Sequence, residues 1–438
     1  MAQNLQRTFS LKDLILIVIG TVIGSGIFIV PSVVLRQTEG SIGVAMSVWL
    51  AAGVLSFLGA LTYAELGAMK PEAGGLYVYI RDAFGSLPAF LYGWTLFFVI
   101  GSGSVATLAV AFVSYLNQLI PLDPLIGRVV SILMIIVVAA INVIGARKSA
   151  SVQNWTTGIK VAAILIMSVA LLFLGKGFAG SVDQLWPSSF NLSLLSGVGL
   201  AMVGVLWAYE GWQYLTFSVG EAIDPQRTYV RGMAVGTAAL IGIYLFANVA
   251  YIAALGASGV AQSNRVAADA VSAMLGPAAG NLIAAAILIS MFSAANGITL
   301  TASRVFFAMA RDGVFFQRLA EIHPRYGTPA LAVIYSSVIA IFYAATGTFE
   351  QLLTYVVFAG WIFYGLGAAS IFVYRRKQPN AQLPFRVPGY PLTPFLFILS
   401  AAAIVVNTII SQPARAVVGI VIVMIGTPAY FVWKRKKD

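Results

Sequence analysis

Gly20-Thr21-Val22-Ile23-Gly24-Ser25-Gly26-Ile27-Phe28 puts three glycines and a serine into the middle of the first apolar run. Gly204-Val205-Leu206-Trp207-Ala208-Tyr209-Glu210-Gly211-Trp212 puts a second polar, glycine-bearing break into a run in the other half of the chain. Glycine lacks the Cβ that bars non-helical backbone, and it weakens a helix. Gly24 and Gly26 around Ser25 therefore favour local unwinding. The half-helix that restarts after such a stretch offers free N–H groups and a positive dipole end, which suit a carboxylate. Gly20 and Gly24 also form a G-x-x-x-G pair, so close helix packing competes for this stretch. The matching break in the second half decides for a binding site, because paired interrupted helices mark the site of membrane carriers with internal repeats.

The surroundings of both breaks are those of a bilayer protein. Sixty per cent of the 438 residues are hydrophobic and 9% are charged, against roughly 25% charged in a soluble domain. Apolar runs recur at the ~20-residue length that crosses a hydrocarbon core. Backbone groups find no water there, so these runs must be helices. Runs such as Ile132–Ile141 are apolar at every position, unlike the alternation of a membrane barrel strand. There is no cysteine, and the single histidine, His323, falls in a polar loop. Disulfides to a partner, thiolate sites and histidine metal clusters are thus excluded. The first apolar stretch, Leu11 to Leu35, is too long for a cleaved leader.

The pattern predicts an all-α integral membrane fold with twelve spans. They lie near 12–36, 42–69, 86–119, 126–146, 152–175, 193–219, 231–256, 281–306, 328–347, 351–374, 392–411 and 415–433, with a longer loop from Gly256 to Pro277 that has room for a short helix. The net charge is +11, and its distribution sets topology rather than pointing to nucleic acid. The side shared by the termini holds Arg7, Lys12, Lys70, Arg81, Arg147, Lys148, Arg227, Arg231, Arg304, Arg311, Arg318, Arg325, Arg375, Arg376, Lys377, Arg386 and the tail Lys434 to Lys437: 20 of 26 cations. The other side has Arg36, Arg128, Lys176, Arg265 and Arg415. Both termini are expected in the cytoplasm, and the basic tail anchors at its membrane surface, with binding of membrane lipid headgroups as the sharper alternative. The remaining cation, Lys160, lies inside a span.

Two buried ionisable residues are candidates for chemistry. Glu210 in span 6 must face a cavity or a partner. It either adds to the field that carbonyls before it offer an ammonium, carries a proton, or caps the N–H groups of the following half-helix. Lys160 in span 5 either snorkels or sets its ammonium against unwound carbonyls, where a bound cation would sit. Glu65, near the end of span 2, is assigned to pairing with a basic residue.

Several motifs, in order, now add a resemblance. They are Gly20 to Phe28, Tyr63-Ala64-Glu65-Leu66-Gly67 with Pro71-x-x-Gly74-Gly75-x-Tyr77, and Gly85 to Phe90. Val152-Gln153 with Lys160, Ala208-Tyr209-x-Gly211-Trp212, and Asn296-Gly297 with Ser303-Arg304 follow. Over spans 1 to 10 the chain resembles the L-amino acid transporter (light-subunit) family of the amino acid–polyamine–organocation (APC) superfamily. The resemblance implies a leucine-transporter (LeuT-like) fold of 5+5 inverted repeats with broken helices 1 and 6. Residues 1–190 would hold spans 1–5, 191–378 spans 6–10, and 379–438 spans 11–12 and the tail. Carried over by position, Val22, Ser25, Gly26 and Ile27 line the carboxylate end. Carbonyls of Trp207 and Ala208 and the position of Glu210 meet the ammonium, and Ser104 falls at a cavity position. Lys160 stands in for a sodium ion, with Tyr244 near it.

The expected function is sodium-independent exchange of small neutral L-amino acids by alternating access across the cell membrane, with proton-coupled symport as the alternative. Trp207 and Tyr209 suggest a small cavity. No cofactor or metal is expected, and the missing cysteine excludes a disulfide-linked heavy chain. An intramembrane enzyme needs a paired carboxylate, H-E-x-x-H or a serine–histidine arrangement, and none is present. No repeated filter or charge ring suggests a channel.

Overall fold

The computed structural model describes residues 5–180, 184–347, 349–379, 383 and 385–435. Among them the chain is almost wholly helical, and no strand forms beyond one isolated bridge, Phe9 with Ala222. Ten helices are long and apolar enough to cross a bilayer. The pair Leu11–Val22 and Gly26–Gln37, bent by 47°, makes a further crossing. The helix expected as span 9, Ala330–Thr346, is shorter at 17 residues. The other spans are Ile42–Met69 (span 2), Ser86–Asn117 (3), Pro124–Ile144 (4), Ala146–Leu174 (5) and Leu192–Glu221 (6). Pro225–Gln262 (7), Pro277–Arg311 (8), Tyr355–Lys377 (10), Leu392–Ser411 (11) and Pro413–Trp433 (12) complete the series.

Spans of equal rank in the two halves pack on each other: the second half of span 1 on span 6, span 2 on 7, span 3 on 8, and span 4 on 9. This is the arrangement of a LeuT-like inverted repeat. Spans 11 and 12 pack beside span 10.

The segment expected as a loop between Gly256 and Pro277 is mostly helical. Span 7 continues through a kink at Gly256 (φ 69°) to Gln262, and a separate helix, Val266–Leu275, follows. Gly256 tolerates the left-handed backbone that a side chain would resist, so the helix turns without ending. Span 3 contains one π-helical turn, Leu96–Ile100, after which Ser102 donates to the Phe97 carbonyl at 2.7 Å.

Charges tie the elements together at the face where span 1 begins. Ser10 and Asp13 form a capping box at the start of span 1. Asp13 also accepts from Arg147 at 2.6 Å and Asn154 at 2.5 Å, both on span 5. The segment entering span 1 pairs with the end of span 6 through Thr8 N–H and Phe9 N–H to the Glu221 carbonyl, and Ile223 N–H to Phe9. Glu65 holds the end of span 10, accepting from Arg375 Nε and Nη2 at 2.8 Å each. Arg304 corrects the loop assignment. It is wholly buried in span 8, and its guanidinium grips both oxygens of Glu221 at 2.6 and 2.9 Å. Removing one member of such a pair strands a buried charge, at roughly 3–5 kcal/mol.

Candidate site between the two broken helices

The helical ladder of span 1 stops at Val22. The chain runs through Ile23, Gly24 and Ser25, and restarts at Gly26. Ser25 makes no side-chain cap, so the first amides of the second half, at Gly26 and Ile27, lack an intrahelical acceptor. The α-helical part of span 6 stops at Ala208, turns through Tyr209 to Gly211, and continues as a 3₁₀ helix, Trp212–Glu221. Gly211 has φ +133°, and a Cβ there would stand 2.7 Å from the Thr21 carbonyl oxygen. A Cβ on Gly26 would stand 2.9 Å from Ala208 Cα. Each break thus supplies the glycine that lets the other approach.

Different groups hold the two breaks. Lys160, buried to 1% exposure, donates from Nζ to the carbonyls of Gly20 at 2.7 Å and Ile23 at 2.5 Å, and more distantly to that of Ser290 at 3.4 Å. Ser290 Oγ donates to the Ile23 and Gly24 carbonyls at 2.9 and 3.1 Å. Three backbone carbonyls thus converge on one ammonium. The break in span 6 has neutral donors. The Tyr244 hydroxyl reaches the carbonyls of Ala208 at 3.1 Å and Val22 at 3.3 Å, and Thr21 Oγ1 reaches that of Gly211 at 3.0 Å. Tyr244 therefore ties the two breaks to each other and makes no bond to Lys160.

A small cavity of about 70 Å³ lies between the breaks. Span 1 lines it with Thr21, Val22, Gly24, Ser25 and Gly26, and span 6 with Trp207, Ala208, Glu210, Gly211 and Tyr214. Spans 3, 8 and 10 add Ser104, Thr107, Leu108, Ala294, Ile298 and Val356. Ser104 Oγ lies 3.5 Å from the Tyr214 hydroxyl.

Of the residues expected at the site, Val22, Ser25, Gly26, Ser104, Trp207, Ala208 and Glu210 line this cavity. Ile27 does not; it is buried in the core, where the restarted helix turns its side chain into packing. Lys160 and Tyr244 act from behind the lining. Tyr209 does not narrow the cavity: its ring packs on Tyr244 and Trp49, with centroids 5.0 and 5.9 Å away. Glu210 does not cap the following half-helix, because Gln213 Oε1 takes the Gly211 N–H at 2.9 Å. Glu210 Oε1 instead accepts from the Tyr364 hydroxyl of span 10 at 2.9 Å. Its Oε2 is buried without a hydrogen-bond partner.

Sequence reasoning missed Thr21, Gln213, Tyr214, Ser290 and Tyr364. Thr21 lies inside the quoted stretch and could have been found there. Tyr364 is one aromatic residue in a long apolar run, and nothing local marks it.

A family model described as amino acid permease matches residues 9–431 of the chain. The chain is similar to the mouse (Mus musculus) b(0,+)-type amino acid transporter 1, 32% identical over 94% of this chain and 84% of that one. It is similar to the human (Homo sapiens) cystine/glutamate transporter, 33% identical over 99% and 87%. It is also similar to the rat (Rattus norvegicus) large neutral amino acids transporter small subunit 2, 32% identical over 96% and 80%.

Proposed function

The chain belongs to the amino acid permease family of multi-pass membrane transporters, and from that premise we propose that it exchanges small neutral L-amino acids across the plasma membrane without sodium. Amino acid transport is the activity named for its relatives. The finer reading is carried by one observation, the Lys160 ammonium held by the Gly20 and Ile23 carbonyls. A cation built into the fold leaves sodium no carbonyls to bind at that place.

In this reading a zwitterion lies between the breaks. Its carboxylate meets the free amides at Gly26 and Ile27 and the positive end of the restarted helix. Its ammonium meets the carbonyl end of the α-helical part of span 6 at Trp207 and Ala208, beside Glu210. Trp207 limits the side chain, and Ser104 with Tyr214 offers hydroxyls at the far wall. Bound substrate bridges the half-helix ends of spans 1 and 6, and the gates around it then rock. The empty carrier lacks that bridge and returns poorly, which makes transport an exchange.

The charge bias of the loops supports cytoplasmic termini. The division at 190 and 378 agrees with the packing of spans 1–4 on spans 6–9. The sequence has no cysteine for a disulfide-linked heavy chain.

Proteoliposomes separate the alternatives. Labelled alanine should enter vesicles loaded with unlabelled alanine at equal rates in sodium and in potassium, and should fail to enter empty ones. Uptake into empty vesicles driven by an inward proton gradient would replace exchange by proton symport.

A further inference from the structure

A second cavity, of about 340 Å³, opens where spans 3 and 9 end and span 4 begins, at the face opposite to the start of span 1. It shares no lining residue with the cavity between the breaks. Span 3 gives it Asn117, and span 4 gives it Arg128 and Ser131 with the cap residue Asp123. The carbonyl end of span 9, at Thr346 and Gly347, closes one side.

Asp123 and Arg128 bring opposite charges to this cavity, yet among the described residues neither forms an ion pair. One Asp123 oxygen takes the Leu125 N–H at 2.8 Å as the cap of span 4, which leaves the other to the cavity. The Arg128 guanidinium has no acceptor among the described residues. Three other cations expected on this side do have one: Arg36 donates to the Ala261 carbonyl at 2.7 Å, Arg265 pairs with Asp269 at 3.1 Å, and Arg415 donates to Gln412 at 3.0 Å.

Below the cavity its walls turn to lipid. Positions four and eight residues apart share one helix face. Arg128 thus heads a row with Ile132, half-buried, and Ile136, exposed. Thr346 heads a row with Phe342 and Val338, both exposed. Apolar rows on the outside of a membrane span are covered by acyl chains. A ligand that fits both parts shows an anion to Arg128, a cation to Asp123 and to the negative pole of span 9, and apolar chains to spans 4 and 9.

We propose that this cavity holds the headgroup of a phospholipid bearing a primary amine, with its phosphate on Arg128 and its ammonium between Asp123 and the end of span 9. The forked guanidinium matches phosphate oxygens. A primary ammonium has three N–H donors to share between a carboxylate and carbonyls. A free amino acid carries the same two charges but no chains for the rows beneath.

The test uses the full-length chain in mild detergent, native mass spectrometry, and three phospholipids with the same acyl chains. Phosphatidylethanolamine should be retained as one copy that survives washing. Phosphatidylcholine, whose ammonium has no N–H, and phosphatidylglycerol, which has no ammonium, should be retained at least tenfold less. Arg128→Ala and Asp123→Asn should each lower retention of phosphatidylethanolamine at least tenfold. Asparagine keeps the cap of span 4, and melting temperatures check that both variants are folded. If they are not, the ranking of the three lipids on the unaltered chain decides by itself. Equal retention of the three lipids overturns the proposal, and so does undiminished retention by either folded variant. Release of the lipid by excess alanine also overturns it and puts a free zwitterion in its place.

Discussion

The breaks of spans 1 and 6 occupy equivalent places in the two halves, yet opposite means hold them. Span 1 loses three residues of helix, and its exposed carbonyls receive a charged donor from the scaffold, Lys160. Span 6 turns on a positive-φ glycine, and its carbonyls receive hydroxyls from Tyr244 and Thr21. The charged group at this break, Glu210, lines the cavity instead of bonding the backbone. Hydrogen bonds to charged groups are worth about 1.5–3 kcal/mol against roughly 1 for neutral ones. The comparison teaches that span 1 is the fixed jaw and span 6 the responsive one.

The largest expected effect therefore lies at Lys160. Lys160→Ala leaves two buried carbonyls without their charged donor, a loss of roughly 3–6 kcal/mol in the bound state. Counterflow of alanine should fall by ~10²-fold or more while the detergent-solubilised protein stays monodisperse. Near-normal exchange would dissolve the contrast between the jaws. Gly26→Val comes next. Its Cβ would sit 2.9 Å from Ala208, and overpacking of this kind costs about 1–3 kcal/mol. The breaks must separate, so alanine affinity should weaken by roughly tenfold or more, read from binding in detergent; unchanged affinity would mean that substrate does not lie between them. The smallest effect is expected for Tyr244→Phe, which removes one neutral hydroxyl. Loss of about 1 kcal/mol should slow exchange only several-fold. A defect as deep as that of Lys160→Ala would show that the span 6 break is held as firmly as that of span 1.

Much of this was legible in the chain because membrane depth makes polar atoms conspicuous. Gly24-Ser25-Gly26 and Tyr209-Glu210-Gly211 stand out from apolar runs, and a lysine inside a span needs acceptors. Spacing could not reveal which way side chains turn once the helical period is broken. Ile27 faces the core, and Tyr209 faces Trp49, because the restart angle of each half-helix sets their direction. Arg304 read as a loop cation because its partner, Glu221, lies in another span. Tyr364 was invisible for the same reason, since its meaning comes entirely from Glu210.

The wide turn at Leu96–Ile100 has a consequence for the far wall of the cavity. A π-helical turn adds one residue to an otherwise regular rod. Everything after it in span 3 is rotated by about a quarter-turn relative to everything before. Ser104, Thr107 and Leu108 reach the cavity from that shifted phase. Deleting a single residue from the turn would leave a smoother and better-bonded helix, and would swing those three side chains out of the cavity wall.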